Sequence, residues 1–465
     1  MVPKLFFILT IYLIVILNYH QAQALVHFCT NVEELRHAMD VARGGDEIIL
    51  KSGTTFNAAD SAKSGKGAHF FGNFNAPPDQ RIVMRSESPD DPATLSGSNL
   101  SHYHVLRLFG NNWTIRDIIV THAQKGIVLD HANSVHIVGC QVHNIGLEAI
   151  HVRDGSKFTL IEDCHIHNTG KVAPAFGEGI YVGSDKNKWY TQWDPDVRRT
   201  TIRGCTIGPN IGAEAFDVKE GSYLTIIEHN IVHAEGISGQ NYADAFIDLK
   251  GVKGVVRYNI FHRDNAHHLQ KGVAIIKRPT PGTDSGPMSS YEHVIHDNTF
   301  YMNGMAHPIV HAHSGTHGIY AFNNSPNSPF ADRSVDGIQD SCCPSWYTQP
   351  SSSAKVLEYD ASDYANYADE SVYSSMIKDE TSETIGYAHD SFEYPDEIIE
   401  FDPDDHFDAN DDGIMPESFD DYGEILSVNS PEYSLDTSST THKYGFLSIR
   451  STVISLVCCL LIDFY

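Results

Sequence analysis

Basic side chains are scarce in this sequence: 32 Lys and Arg stand against 60 Asp and Glu in 465 residues, a formal charge of −28. The electrostatic footprint of a nucleic-acid binder is missing, which excludes a nucleic acid as partner. Long apolar runs are scarce too. The two present, Leu5–Leu17 and Val453–Ile462, both fall short of the roughly 20 residues that a bilayer-spanning helix needs. The deficit of positive charge is local. Lys355–Asp436 holds 25 acidic and 2 basic residues, so it carries −23 and everything outside it about −5. A buried core is expected before residue 355 and none after it.

The ends read as addresses. Lys4, the apolar run that follows and Ala22-Gln-Ala24 have the order of a secretory signal peptide, with cleavage expected after Ala24 and a secreted or cell-surface location. At the other end, Thr437–Thr440 and the apolar Val453–Ile462 follow the grammar of a GPI-anchor signal, which would attach the chain to a membrane through lipid. The apolar stretch bracketed by Arg450 and Asp463 is only ten residues long, short for that signal, so the anchor stays open. The expected organisation is a signal peptide at 1–24, one folded domain at 25–350, an acidic disordered tail at 351–440 and the hydrophobic segment 441–465. Within the tail, Asp408–Gly413 follows a calcium-loop spacing, but Phe419 stands where the bidentate Glu belongs, and chance in an acid-rich tract explains it. Asn99, Asn112 and Asn323 match the glycosylation sequon, a weak sign of a glycoprotein.

The middle of the chain repeats. The lines ending in Cys140-Gln-Val-His143, Cys164-His-Ile-His167 and Cys205-Thr-Ile207 continue with Asn in the Cys slot at Asn230, Asn259 and Asn298. Cys140 to Cys164 is 24 residues and Cys205 to Asn230 is 25, with polar, Gly/Pro-rich sequence filling the longer intervals. A unit this small, made of short β-branched runs, cannot bury its own face and must stack on its neighbours. The thiols are expected to be structural members of a ladder, as is the histidine column His143, His167, His233 and His262. That leaves Cys29, Cys342 and Cys343 as disulfide candidates of open pairing. Val32–Ala42 carries apolar residues at helical spacing after Thr30-Asn31, a helix that would cover the open end of the stack.

The opening Val32–Phe56, together with Ile82–Ser86, Thr94–Gly97 and Trp113–Ile119, resembles the secreted pectate-lyase-like proteins over roughly residues 30–325. The resemblance implies an all-β fold, a right-handed parallel β-helix with an N-terminal helical cap. It is specific for fold and weak for chemistry, because that superfamily includes lyases, hydrolases, C5-epimerases and non-catalytic adhesins.

Chemistry belongs on the strand that follows each Cys/Asn line: Glu148–Arg153, Glu178–Gly183, Glu214–Lys219 and Asp244–Lys250. Period two turns His151, Tyr181, Asp217 and Asp248 outward as one column, and Arg153, Gly183, Lys219 and Lys250 as another, extended by Lys277, His311 and His313. The strand-opening acids are placed in the preceding turns. A row of lysines suits uronate carboxylates, and mutual repulsion lowers a lysine toward use as a base; neighbouring carboxylates suit Ca²⁺. Lys219 or Lys250 is the expected base, on exposed side chains whose removal would leave folding intact. Asp217 and Asp248 are the expected calcium ligands, with Glu214 and Asp244 in support. Arg153, Tyr181 and Lys277 are expected to bind substrate. The loop at 183–199 offers Trp189 and Trp193, either to stack on sugar rings or to pin the loop to the body. The calcium-dependent pectate lyases it resembles use Lys or Arg as base, which implies a Ca²⁺-dependent lyase cleaving an acidic polysaccharide by β-elimination. A non-catalytic polysaccharide-binding surface protein is the alternative, and hydrolase or epimerase a weaker one. A monomer is expected.

Overall fold

The computed structural model describes residues 24–58, 67–189, 191–280, 289–304, 308–332 and 337–349. The signal-peptide, tail, calcium-loop and GPI readings fall outside these residues, and the unit Ala409–Tyr465 lies wholly outside them.

Successive coils add strands to three parallel sheets, of 12, 10 and 9 strands among the described residues, whose spatial order follows the chain order. The result is a right-handed parallel β-helix. Its interior is lined by stacks of like side chains. One runs Ile137, Ile161, Ile202, Ile227, Val256, Ile295 and Ala321, each paired with the next, and all are fully buried. Parallel sheets buried in this way favour β-branched residues, as the sequence supplies.

The column anticipated at the cysteines is a buried ladder. Cys140, Cys164 and Cys205 are free thiols that donate to carbonyls of the preceding coil, at 3.6, 3.6 and 3.8 Å. The amides that replace them pair with one another. Asn230 Nδ2 donates to Asn259 Oδ1 at 3.0 Å, Asn259 Nδ2 to Asn298 Oδ1 at 2.9 Å, and Asn298 Nδ2 to Asn324 Oδ1 at 2.9 Å. The histidines stack as expected, His143 on His167 at 4.9 Å and His233 on His262 at 4.8 Å between ring centres.

Helix α1 (Val32–Val41) is the cap. Asn31 Oδ1 accepts from Glu34 N at 3.0 Å, and the Glu34 carboxylate accepts from Thr30 N at 2.7 Å, a reciprocal arrangement that satisfies helix-end donors. Leu35, Ala38 and Met39 are buried against the first coils. Of the disulfide candidates, Cys29 is a buried free thiol. Of the three sequons, Asn112 is unsuited to modification in the folded chain: its side chain is buried and donates to Ala76 O at 2.6 Å.

Candidate functional site

Six consecutive strands of the ten-stranded sheet carry the site: β1 (Ile150–Arg153), β2 (Ile180–Val182), β3 (Phe216–Val218), β4 (Ala245–Leu249), β5 (Lys271–Ile275) and β6 (Val310–Ala312). Ile150, Ile180, Phe216, Ile247, Val273 and Val310 pair in one line and point into the core. Alternation then sends their neighbours outward. His151, Tyr181, Asp217 and Asp248 form the next line, and Arg153, Gly183, Lys219 and Lys250 follow β1 to β4 two positions on. Glu148, Glu178 and Glu214 sit in the turns before β1, β2 and β3.

The three glutamates, Tyr181, Asp217, Asp248, Lys219 and Lys250 open on a groove of about 210 Å³ lined by seven carboxyl side chains and four Lys or Arg side chains. It is not the exposed face that the period-two pattern suggested. Lys219, Lys250, Asp217 and Asp248 retain only 4, 3, 4 and 5% of their accessible surface, because loops from neighbouring coils rise around the strand ends. Phe176, Tyr242 and Arg278 come from these loops and line the groove with them.

Burial separates the two lysines. Lys250 Nζ donates to both oxygens of Asp217, at 2.9 and 3.0 Å, and lies 3.1 Å from Asp248. Those two carboxylates outweigh its desolvation and hold its pKa above the usual lysine value. Lys250, one of the two lysines expected as base, is thus held between two carboxylates. Lys219 Nζ stands farther from Asp217, at 4.0 Å, and over the Tyr181 ring at 5.4 Å from its centre.

The carboxyl groups that converge are Glu178, Glu214 and Asp217: one oxygen of each lies within 4.8 Å of the others, and all three are buried. Oε2 of Glu178 has no hydrogen-bond partner. Burial, reinforced by repulsion from neighbouring carboxylates, pushes the pKa of Glu178 and of Glu214 well above the ordinary 4.5. Asp248 is also raised by burial. This set departs from the one read off the sequence. Strand β4 carries one more residue between its leading acid and Asp248, so Ala245, not Asp244, occupies the slot of Glu214. Asp244 pairs instead with Lys271 at 2.9 Å. Glu178 takes its place, and the signal was there: it precedes Tyr181 by the spacing that Glu214 keeps to Asp217.

Three expected substrate contacts are otherwise engaged. Arg153 is buried, 2.7 Å from the buried Asp130, and its guanidinium lies 4.0 Å from the centre of a Trp193 ring. Trp189 is buried and donates to Ser184 O at 3.0 Å. Trp193 thus packs the 183–199 loop against Arg153 of the body, while the Trp189 hydrogen bond stays within that loop. Because Leu249 pairs with Ile275, Ile276 rather than Lys277 continues the lysine line, and Ile276 and Arg278 line the groove. Arg278 lies 3.7 Å from the fully buried Glu220. His313, placed in the basic column by the sequence pattern, lines the groove, whereas Lys271, Arg278 and Tyr242 were not singled out because each reaches it by coil stacking, without a local motif.

A family model described as "Right handed beta helix region" matches residues 103–351. The alginate lyase from Paenibacillus sp. str. FPU-7 is similar with 34% identity over 67% of this chain and 99% of that one, at a TM-score of 0.61. At lower similarity stand the GH136 lacto-N-biosidase from Eubacterium ramulus (12% identity, 68% of this chain and 66% of that one, TM-score 0.45). A pectate lyase from Bacillus sp. N165 in complex with trigalacturonate has 10% identity over 60% of this chain and 82% of that one, TM-score 0.40. No curated protein sequence matches the chain. The chain belongs to the right-handed β-helix family.

Proposed function

We propose that this protein is a secreted polysaccharide lyase that cleaves a uronate-containing polymer by β-elimination, with Lys219 as the base and Tyr181 as its partner. The observation that carries the proposal is the pairing of Lys219 with Tyr181 on adjacent coils, above a buried carboxyl cluster. Identity of 34% with an alginate lyase over 99% of that protein supports the substrate class, and alginate is the first polymer to test.

Elimination requires removal of the C5 proton of a uronate, formation of the C4=C5 double bond and departure of the C4 oxygen with a proton. Two ammonium groups, Lys219 and Lys250, repel one another here. Lys250 donates to both oxygens of Asp217 and lies against Asp248, so the base is assigned to Lys219, which in its neutral form would take the proton from C5. The Tyr181 phenol, in the line of Asp217 and Asp248 and lining the groove, would protonate the leaving oxygen.

A groove with seven carboxyl groups against four Lys or Arg would repel an anionic polymer. Glu178, Glu214 and Asp217 fit a calcium ion: the donors are all oxygen, they converge within 4.8 Å, and Glu178 Oε2 lacks a partner. Bound there, Ca²⁺ would offset the groove's charge and help neutralise the uronate carboxylate, which acidifies C5–H.

The test is incubation of the full chain with alginate, pectate and glycosaminoglycans, with added Ca²⁺ and with chelator. The ultraviolet absorbance of the new double bond is expected with alginate in the presence of Ca²⁺ and absent with chelator. New reducing ends without that absorbance would mean hydrolysis, and binding without any cleavage would mean a non-catalytic role; either refutes the lyase.

A further inference from the structure

At the far end of the groove, histidines that the sequence pattern assigned to the basic column make a different arrangement. His311 is on β6, in the outward line of Asp217 and Asp248, reached through Ala274 of β5. His313 follows two positions later and turns to the same side. The next coil supplies strand β7 (Pro329–Ala331), and because Ala312 pairs with Ala331, Asp332 comes to lie beside His313. His311 Nε2 is 3.1 Å from Asp332 Oδ1, and His313 Nδ1 is 4.0 Å from Asp332 Oδ2. One donor atom of each of the three residues lies within 4.8 Å of the others.

An ordinary His–Asp ion pair explains only part of this. The two rings stack face to face at 4.2 Å between centres, an arrangement that two imidazolium cations would oppose. His311 Nδ1 and His313 Nε2 are inaccessible to solvent and have no hydrogen-bond partner, a costly state for ring nitrogens. Asp332 is oriented from behind by Ser314, whose N donates to its Oδ2 at 3.1 Å, the kind of outer contact that fixes a metal-ligating carboxylate.

We infer that His311, His313 and Asp332 form a binding site for a divalent transition metal, with Zn²⁺ the ion of choice. Two imidazole nitrogens and one carboxylate oxygen suit Zn²⁺ and its neighbours in the series, whereas Ca²⁺ and Mg²⁺ prefer oxygen alone. Three protein donors leave a fourth position of a tetrahedral ion open. His313 lines the groove, so that position belongs to the groove's end, where a hydroxyl or carboxylate of a bound sugar chain, or water, would complete it. The site is separate from the Glu178, Glu214 and Asp217 cluster. Strand β6 is three coils from β3, about 14 Å along the stack at the usual strand spacing.

The test strips the full chain with chelator, then titrates Zn²⁺ by calorimetry and Co²⁺ by visible absorption. The parent is expected to take up one tightly held Zn²⁺ and to show the intense absorption of a four-coordinate Co²⁺ ion. Asp332→Ala and His311→Gln are each expected to weaken that binding at least about tenfold and to lose the Co²⁺ spectrum. Retention of the thermal unfolding transition shows that these variants fold. Glu178→Gln, in the other cluster, should leave the tight Zn²⁺ event unchanged. The inference fails if the parent shows no tight event, or if Asp332→Ala and His311→Gln bind as the parent does. Neither failure bears on lyase activity, which is read separately from the unsaturated product.

Discussion

Lys219 and Lys250 are one strand apart and both buried, yet their surroundings differ, and the proposed mechanism gives them different work. Lys219→Ala is expected to lower the rate of unsaturated product formation by at least about 10²-fold, the scale of a lost general base, while substrate still binds. Lys250→Ala would leave Asp217 and Asp248 buried without their cation. It is expected to cost about 3–5 kcal/mol of stability, read as a lower midpoint in urea, so the two substitutions separate in an unfolding experiment as well as in an assay. A second residue-level expectation concerns Glu178 and Glu214. Their folded pKa values lie above the ordinary 4.5, so the folded state holds protons that the unfolded chain releases. Their contribution to stability is complete below about pH 4.5 and is lost as pH rises through the raised values. Calcium needs the ionised forms. The gain in melting temperature on adding Ca²⁺ should therefore be small near about pH 5 and larger near about pH 8, and Glu178→Gln or Glu214→Gln should abolish that growth.

At the scale of elements, the coil-to-coil ladder offers the cleanest test of what holds the stack together. Asn259 accepts from Asn230 and donates to Ile227 O and to Asn298 Oδ1. Asn259→Ala strands buried donors and acceptors on both neighbouring coils and is expected to destabilise by about 1–3 kcal/mol or more. Asn259→Cys should cost less, since a thiol bonding to the preceding coil already fills this slot at Cys205. Chemical denaturation of the two variants checks the order. Much at this scale was legible beforehand. The strands, the ladder, the histidine stack and helix α1 follow from periodicity and from a helix start signal, because each depends on residues close in sequence. The insertion in β4 was harder to see. Asp244-Ala-Phe-Ile-Asp248 reads like its predecessors, and only pairing of Ile247 with Phe216 shows that Asp244 has slipped out of the glutamate line.

For the whole molecule the uneven charge is the main physical fact. Residues 355–436 carry −23 of the −28, and a polyanionic substrate approaching such a chain meets long-range repulsion that salt screens. With an anionic polymer, kcat/KM of the full chain is expected to rise with ionic strength. A chain lacking residues 355–436 should show a weaker rise; equal salt dependence of the two would show that this segment does not influence encounter.

The amino-acid sequence alone determined the repeat, the all-β helical stack and most of the two outward columns, the exceptions being Lys277 and Asp244. All of these are consequences of a period of two combined with a repeat of about 24 residues. Only the tertiary structure decided what those columns become. Burial of Lys219 and Lys250 depends on loops from other coils, and the clamp on Lys250 is made by Asp217, 33 residues away. The replacement of Asp244 by Glu178, the burial of Arg153 beside Asp130 and the meeting of His311 with Asp332 likewise join residues from different coils. Charge state and ligand geometry are set by neighbours through space, and in a solenoid those neighbours are a whole coil away along the chain.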